Sequence, residues 1–310
     1  MTVPSIPKLL TESVVYIMLN GMNSESCGLT RRSRAENAEF VIAYVRALGL
    51  SPQPQSRLMR MHRVLTRAGG IISPEDQEFE TALEAERDFQ VLAFVFDQAE
   101  AHSTDAEFQR LVKNALKDSL LQNEDRGQSK GRDAQFELFV AAICQSAGML
   151  PVSREEPDVT CHVDAIKFGI AAKRIKKVTK LEKHVRKAAD QIKKARLPGI
   201  IAIDTCVALN RDNERITAQI PDEQFGPLYK QPLKHFMDDF HDNIQDWVRG
   251  KGVRGLVIHD QQVRFQPNGE WSLVGMTMCV NTARENHRHN REFDMFQERY
   301  TTGLPNVEHL

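Results

Sequence analysis

The chain has 310 residues, 41 of them basic and 42 acidic, and a net charge of −1. That length suits one large domain or two ordinary ones, and the mixed charge with 41% hydrophobic content is that of a soluble globular protein. No apolar run approaches the roughly 20 residues that span a bilayer, and Met1 to Pro7 has neither the basic start nor the apolar stretch of a secretory signal. A cytoplasmic location without a membrane partner is therefore expected.

Residues 1 to about 125 read as a mostly helical module of unknown role. Phe40, Val41, Tyr44, Val45 and Leu48 recur at helical spacing within 35–49. Ser73-Pro74-Glu75-Asp76 reads as a helix start, with a Ser cap, Pro at the first position and acids in the first turn. Thr104-Asp105-Ala106-Glu107 has the form of a capping box, followed by Phe108, Leu111, Val112, Leu116 and Leu120 at helical spacing.

The polar, Gly-containing segment 122–132 is the expected domain boundary. Beyond it, residues 126–310 read as a second domain in which strands interleave with helices, the pattern of an α/β sheet. The spacing predicts a helix over about 132–147, strands at 157–164 and 166–175, and a basic helix at about 178–196. A buried strand at 199–204, a helix at about 229–249 and strands at 253–259 and 271–280 follow, and the polar tail from Asn281 is expected to fray.

Cys27, Cys144, Cys161, Cys206 and Cys279 are scattered and odd in number, without a C-x-x-C pair. That spacing argues against a disulfide framework or a zinc knuckle and for reduced, buried thiols. His287-Arg288-His289 has a metal-like spacing but no second ligand pair beside it.

Chemistry concentrates between 131 and 206. Glu137 falls at the edge of the apolar face of its helix, beside Ala141 and Cys144, where a carboxylate leans over the end of a sheet. Pro157-Asp158 opens the first strand, and Asp158, Thr160 and His162 share one of its faces. In the next strand Ala171 and Lys173 share a face, while Ile170 and Ala172 turn the other way. Leu181, Val185, Ala188, Ile192 and Ala195 form the core stripe of the basic helix, flanked by His184 and Gln191. Asp204, ending a buried strand, reads equally as a site residue or a loop cap, and His162 and His184 as phosphate contacts, surface groups or general bases.

From Lys167 to Arg196 the chain carries twelve Lys or Arg against Glu182 and Asp190, a net +10 in an otherwise neutral protein. Such a localised field suits phosphate binding, and Arg174, Lys176, Lys177, Lys180, Lys183, Arg186 and Lys187 are the candidate contacts. Few aromatics are interleaved, which favours backbone gripping over base stacking.

The order of a helix Glu, a Pro-Asp pair, a strand Lys and a helix Gln resembles the PD-(D/E)xK superfamily of restriction endonuclease-like nucleases, over about a quarter of the chain. The resemblance implies a mixed central sheet flanked by helices and a catalytic set matching Glu137, Asp158, Ala171, Lys173 and Gln191. It implies Mg2+ or Mn2+ held by Asp158 and Glu137, and hydrolysis of DNA (or RNA) phosphodiesters in prokaryotic defence or DNA processing. Such nucleases often pair to cut both strands, so a homodimer belongs to the same expectation. One position departs: Ala171 stands where the tripeptide acid is expected. The acid has migrated (to Asp164, Glu155, Glu156 or Asp204), the site is degenerate, or the alanine is an engineered substitution. The alternatives to a nuclease are a nuclease fold that binds nucleic acid without cutting, and a protein-interaction scaffold.

Overall fold

The computed structural model describes residues 13–19, 32–67, 76–99, 105–121, 129–209, 215–216, 222–265, 271–282, 289–305 and 307–308. Strand β1 (Ser13–Leu19) comes first, inside a region whose sequence reads as helical, and pairs antiparallel with a strand from the far end of the chain. Helices α1 (Arg34–Ala47), α2 (Arg57–Thr66), α3 (Phe79–Gln98) and α4 (Ala106–Ala115) follow. A capping box opens α1: the Ser33 hydroxyl accepts from the Glu36 amide, and the Glu36 carboxylate accepts from the Ser33 amide at 2.7 Å.

The Ser73-Pro74 start lies outside the described residues, and α3 begins at Phe79. Thr104 also lies outside them. Asp105 is the residue that caps α4, its carboxylate accepting from the Glu107 amide at 2.8 Å.

Helix α5 (Lys130–Ser146) leads into the hairpin of β2 (Val159–Val163) and β3 (Ile166–Arg174). Then come α6 (Leu181–Ala195), entered through a short 3-10 turn over 178–180, and β4 (Gly199–Asp204). The chain continues through α7 (Cys206–Leu209), β5 (Arg215–Ile216), α8 (Asp222–Val248), β6 (Val253–Phe265) and β7 (Trp271–Asn281). It closes with α9 (His289–Thr302) and β8 (Val307–Glu308). Within the tail expected to fray, His289–Thr302 is a helix, because Phe293, Phe296 and Tyr300 recur at helical spacing and are buried.

Among the described residues one mixed sheet runs β2-β3-β4-β6-β7-β1-β8, with β5 beside β6. The β3, β4 and β6 strands are mutually parallel, and β2 and β7 flank them antiparallel. Alternation sends Phe168, Ile170, Ile200, Ala202 and Val257 to one face, into a cluster with α5 and α9. It sends Ala171, Ile201, Ile203, Leu256 and Ile258 to the other, under α6 and α8. Central strand β4 is apolar on both faces because both are covered, and each of its fully buried isoleucines contributes roughly 1.5–3 kcal/mol. The protein is therefore α/β, a mixed sheet flanked by helices. No helix among the described residues is long and apolar enough to cross a membrane.

Residues 122–128, at the expected boundary, lie outside the described set, and α5 already starts at Lys130. Packing is continuous on either side of that segment. Ala38 and Val41 of α1, Phe89 of α3 and Phe108 of α4 belong to the same apolar cluster as α5, the sheet and α9. A buried polar seam crosses it too: Asp88 of α3 accepts from Arg57 of α2 at 2.7 Å and from Gln135 of α5 at 3.1 Å.

Candidate functional site

Asp158 stands just ahead of β2. Because Val159 pairs with Ile170, the aspartate lies across from the last residues of β3. Gly169 makes the approach possible, since a Cβ there would sit 2.8 Å from the Pro157 ring.

Three side chains from three elements meet at this corner. The Lys173 ammonium donates to Asp158 Oδ2 at 2.6 Å and to the Ala172 carbonyl at 2.8 Å. The same carboxylate oxygen accepts from the Ala172 amide at 2.8 Å. Gln191 of α6 donates to Asp158 Oδ1 at 3.2 Å and to the Pro157 carbonyl at 2.9 Å. Its own Oε1 is buried without a hydrogen-bond partner.

Glu137 of α5 is within electrostatic reach. Burial, then the Asp158 carboxylate, pushes its carboxyl up to about 7, while Arg110 and Lys173 pull the other way. On the basic helix itself, burial and then Lys173, Lys183 and Lys187 lower the His184 pKa.

Of the seven expected phosphate contacts, Lys183, Arg186 and Lys187 stand on that helix, and Lys176, Lys177 and Lys180 lead into it. Lys177, Lys180, Lys183, Arg186 and Lys187 are exposed, with Arg186 2.8 Å from Glu182, and Lys176 is half-buried. Arg174 is different and is removed from the exposed set. It is 8% exposed and donates to Asp204 at 2.7 Å across neighbouring strands, because alternation turns it away from the Lys173 face.

Of the residues offered as migrated acids, Glu155, Glu156 and Asp204 are engaged elsewhere. Glu155 lies 3.5 Å from Lys167 and Glu156 3.5 Å from Lys194. Asp164 sits in the β2–β3 turn at φ 51°. Burial alone would raise the Asp204 carboxyl, but Arg174 and donors from Cys206 hold it below its usual value. Ala171 is fully buried in the apolar cluster under α6. His162 lies further along β2 with its ring at the Pro151 carbonyl. His287 and Arg288 lie outside the described residues, as does Cys27; the other four cysteines are free and buried.

Among the described residues no group of three or more His, Cys, Asp or Glu is gathered to hold a metal ion. The donors at the corner are the Asp158 and Glu137 carboxylates and the Ala172 carbonyl. Asp158 Oδ2 and the Ala172 carbonyl both already accept from the Lys173 ammonium.

Sequence reasoning missed a second polar concentration, around Arg87, Asp88 and Arg132. Its signal was the run Glu84-Ala85-Glu86-Arg87-Asp88, whose four charges interrupt the apolar face of α3 and are all buried. Comparison with family models, with curated proteins and with solved structures returns no match for this chain.

Proposed function

We propose that the protein is a metal-dependent nuclease of restriction endonuclease-like architecture that hydrolyses DNA phosphodiesters. One observation carries the reading: the Lys173 ammonium lies 2.6 Å from Asp158 at the carboxyl end of β3, beside a cationic helix. The succession of α5, the β2–β3 hairpin, α6 and parallel β4 supports the same architecture.

Asp158 and Glu137 would hold Mg2+ or Mn2+. Bound there, the ion would polarise the scissile phosphate and acidify a water. The chain's own groups do the rest. Lys173, held by Asp158 and the Ala172 carbonyl, offsets negative charge growing on the phosphate. Gln191 offers its open Oε1 to the attacking water. The exposed cations of α6 seat the nucleic-acid backbone.

The test is cleavage of plasmid DNA with magnesium and with manganese by the chain, by Asp158→Ala and by Ala171→Glu. Metal-dependent cutting lost in Asp158→Ala is the expected result. No cutting of DNA or RNA by the chain or by Ala171→Glu, with either metal, would sink the nuclease reading.

A second reading has its own support in the sealed Ala171 and the two-carboxylate donor set. In it the corner grips phosphate without cutting. Salt-sensitive DNA binding that ignores both metal and Asp158→Ala would favour it.

A further inference from the structure

A pocket of about 600 Å³, counted with its open mouth, lies beside the ends of β3 and β4 and the middle of β6. Arg174, Asp204 and His259 stand side by side there, because the three parallel strands are in register at those positions. The carboxyl ends of parallel strands are where open α/β sheets take ligands. The pocket is distinct from the Asp158 corner: Lys173 and Arg174 are neighbours in β3, and only Arg174 lines it.

Phe136 and Phe139 of α5 and Met276 of β7 give the pocket an apolar wall. Arg87 of α3 also lines it and is 6% exposed. Its Nη1 donates to Glu84 at 2.9 Å, while Nε and Nη2 have no hydrogen-bond partner. Those two nitrogens form the side-on edge of the guanidinium, whose parallel N–H groups match two oxygens of one carboxylate or phosphate.

The acids lining the pocket do not take that edge, because each has donors of its own. Asp88 accepts from Arg57 and Gln135. Asp204 accepts from Arg174 and from the Cys206 amide at 2.9 Å. Asp260 accepts from Thr205 and Gln262, each at 3.2 Å.

We infer that this pocket binds a small organic oxyanion, its carboxylate or phosphate seated on the side-on edge of Arg87 and its flat body against Phe136 and Phe139. The inference is independent of the nuclease reading, since it uses no residue of the Asp158 corner.

The test is calorimetric titration of the full chain with inorganic phosphate, benzoate and adenosine 5′-monophosphate, with the arginine Nε–H signals followed by NMR. Saturable binding of benzoate or the nucleotide is expected, at least tenfold tighter than phosphate, with a shift of the Arg87 Nε–H signal. Arg87→Lys keeps a cation beside Glu84 but loses the edge, and should weaken binding at least tenfold. Asp158→Ala should leave it unchanged. The NMR shift is read on the unaltered chain, so it decides the matter even where Arg87→Lys fails to fold. No saturable binding of any probe up to millimolar concentration overturns the inference. So does an unmoved Arg87 signal, or binding that Asp158→Ala removes and Arg87→Lys spares.

Discussion

Lys173 and Asp158, fifteen residues apart, are joined by a 2.6 Å contact that ties the Pro-Asp corner to the end of β3. Both side chains are mostly shielded, at 13% and 20% exposure. Removing one partner therefore leaves a charge poorly solvated, and Lys173→Met and Asp158→Asn should each destabilise by about 1–3 kcal/mol. The double variant should lose less than the two losses combined, which denaturant unfolding measures. Strict additivity would show that the pair is not coupled. Either single change should also abolish metal-dependent cleavage.

The exposed row Lys183, Arg186 and Lys187 should dominate nucleic-acid affinity. Changing all three to Glu is expected to weaken DNA binding more than tenfold at moderate salt and to flatten its salt dependence. Lys113→Glu, at an exposed position of α4, is the control and should cost little. Equal losses in the two proteins, by fluorescence anisotropy, would remove α6 from the interface.

His259 is buried between Thr277 Oγ1 and the Tyr300 hydroxyl, each at 3.0 Å, and burial pushes its pKa down to about 4. The unfolded chain takes up this proton near the ordinary value of 6.5, while the folded chain resists it until about 4. The stability that depends on a neutral His259 is thus present above about 6.5 and is lost as pH falls toward 4. His259→Gln should show a shallower loss of thermal stability across that window. Parallel pH profiles for the two proteins would exclude the histidine as the cause.

At Gly169 an added methyl would meet the Pro157 ring at 2.8 Å, behind the site aspartate. Gly169→Ala should therefore lower stability by about 1–3 kcal/mol and impair cleavage through displacement of Asp158. An unchanged melting temperature would mean that the corner yields freely.

The α5-to-β4 succession was legible because strand alternation and helical period act locally. Those periods put Asp158, Lys173 and Gln191 each on a face, and it was the resemblance to a known motif order that gathered them at one corner. Strand β1 was not legible, since its partner β7 lies some 250 residues away in sequence and a short apolar run fits a helix as well as a strand. The α2 helix left a readable trace in Leu58, Met61, Val64 and Leu65 that was passed over. Arg174 was misplaced for a different reason. Counting charge along a segment ignores which strand face each cation occupies, and Asp204 stands 30 residues away. The Arg87 pocket draws on α3, α5 and three strands, a combination no local pattern announces.

Asp88 collects Arg57, Arg132 and Gln135 from helices on both sides of the segment 122–128. A graft that replaced the front of the chain with a foreign helical region would strand Arg132 and Gln135 without their acceptor, deep in an apolar interior. The front and back of this protein are thus bound to change together, and splitting the gene at that point should yield two insoluble fragments rather than two working parts.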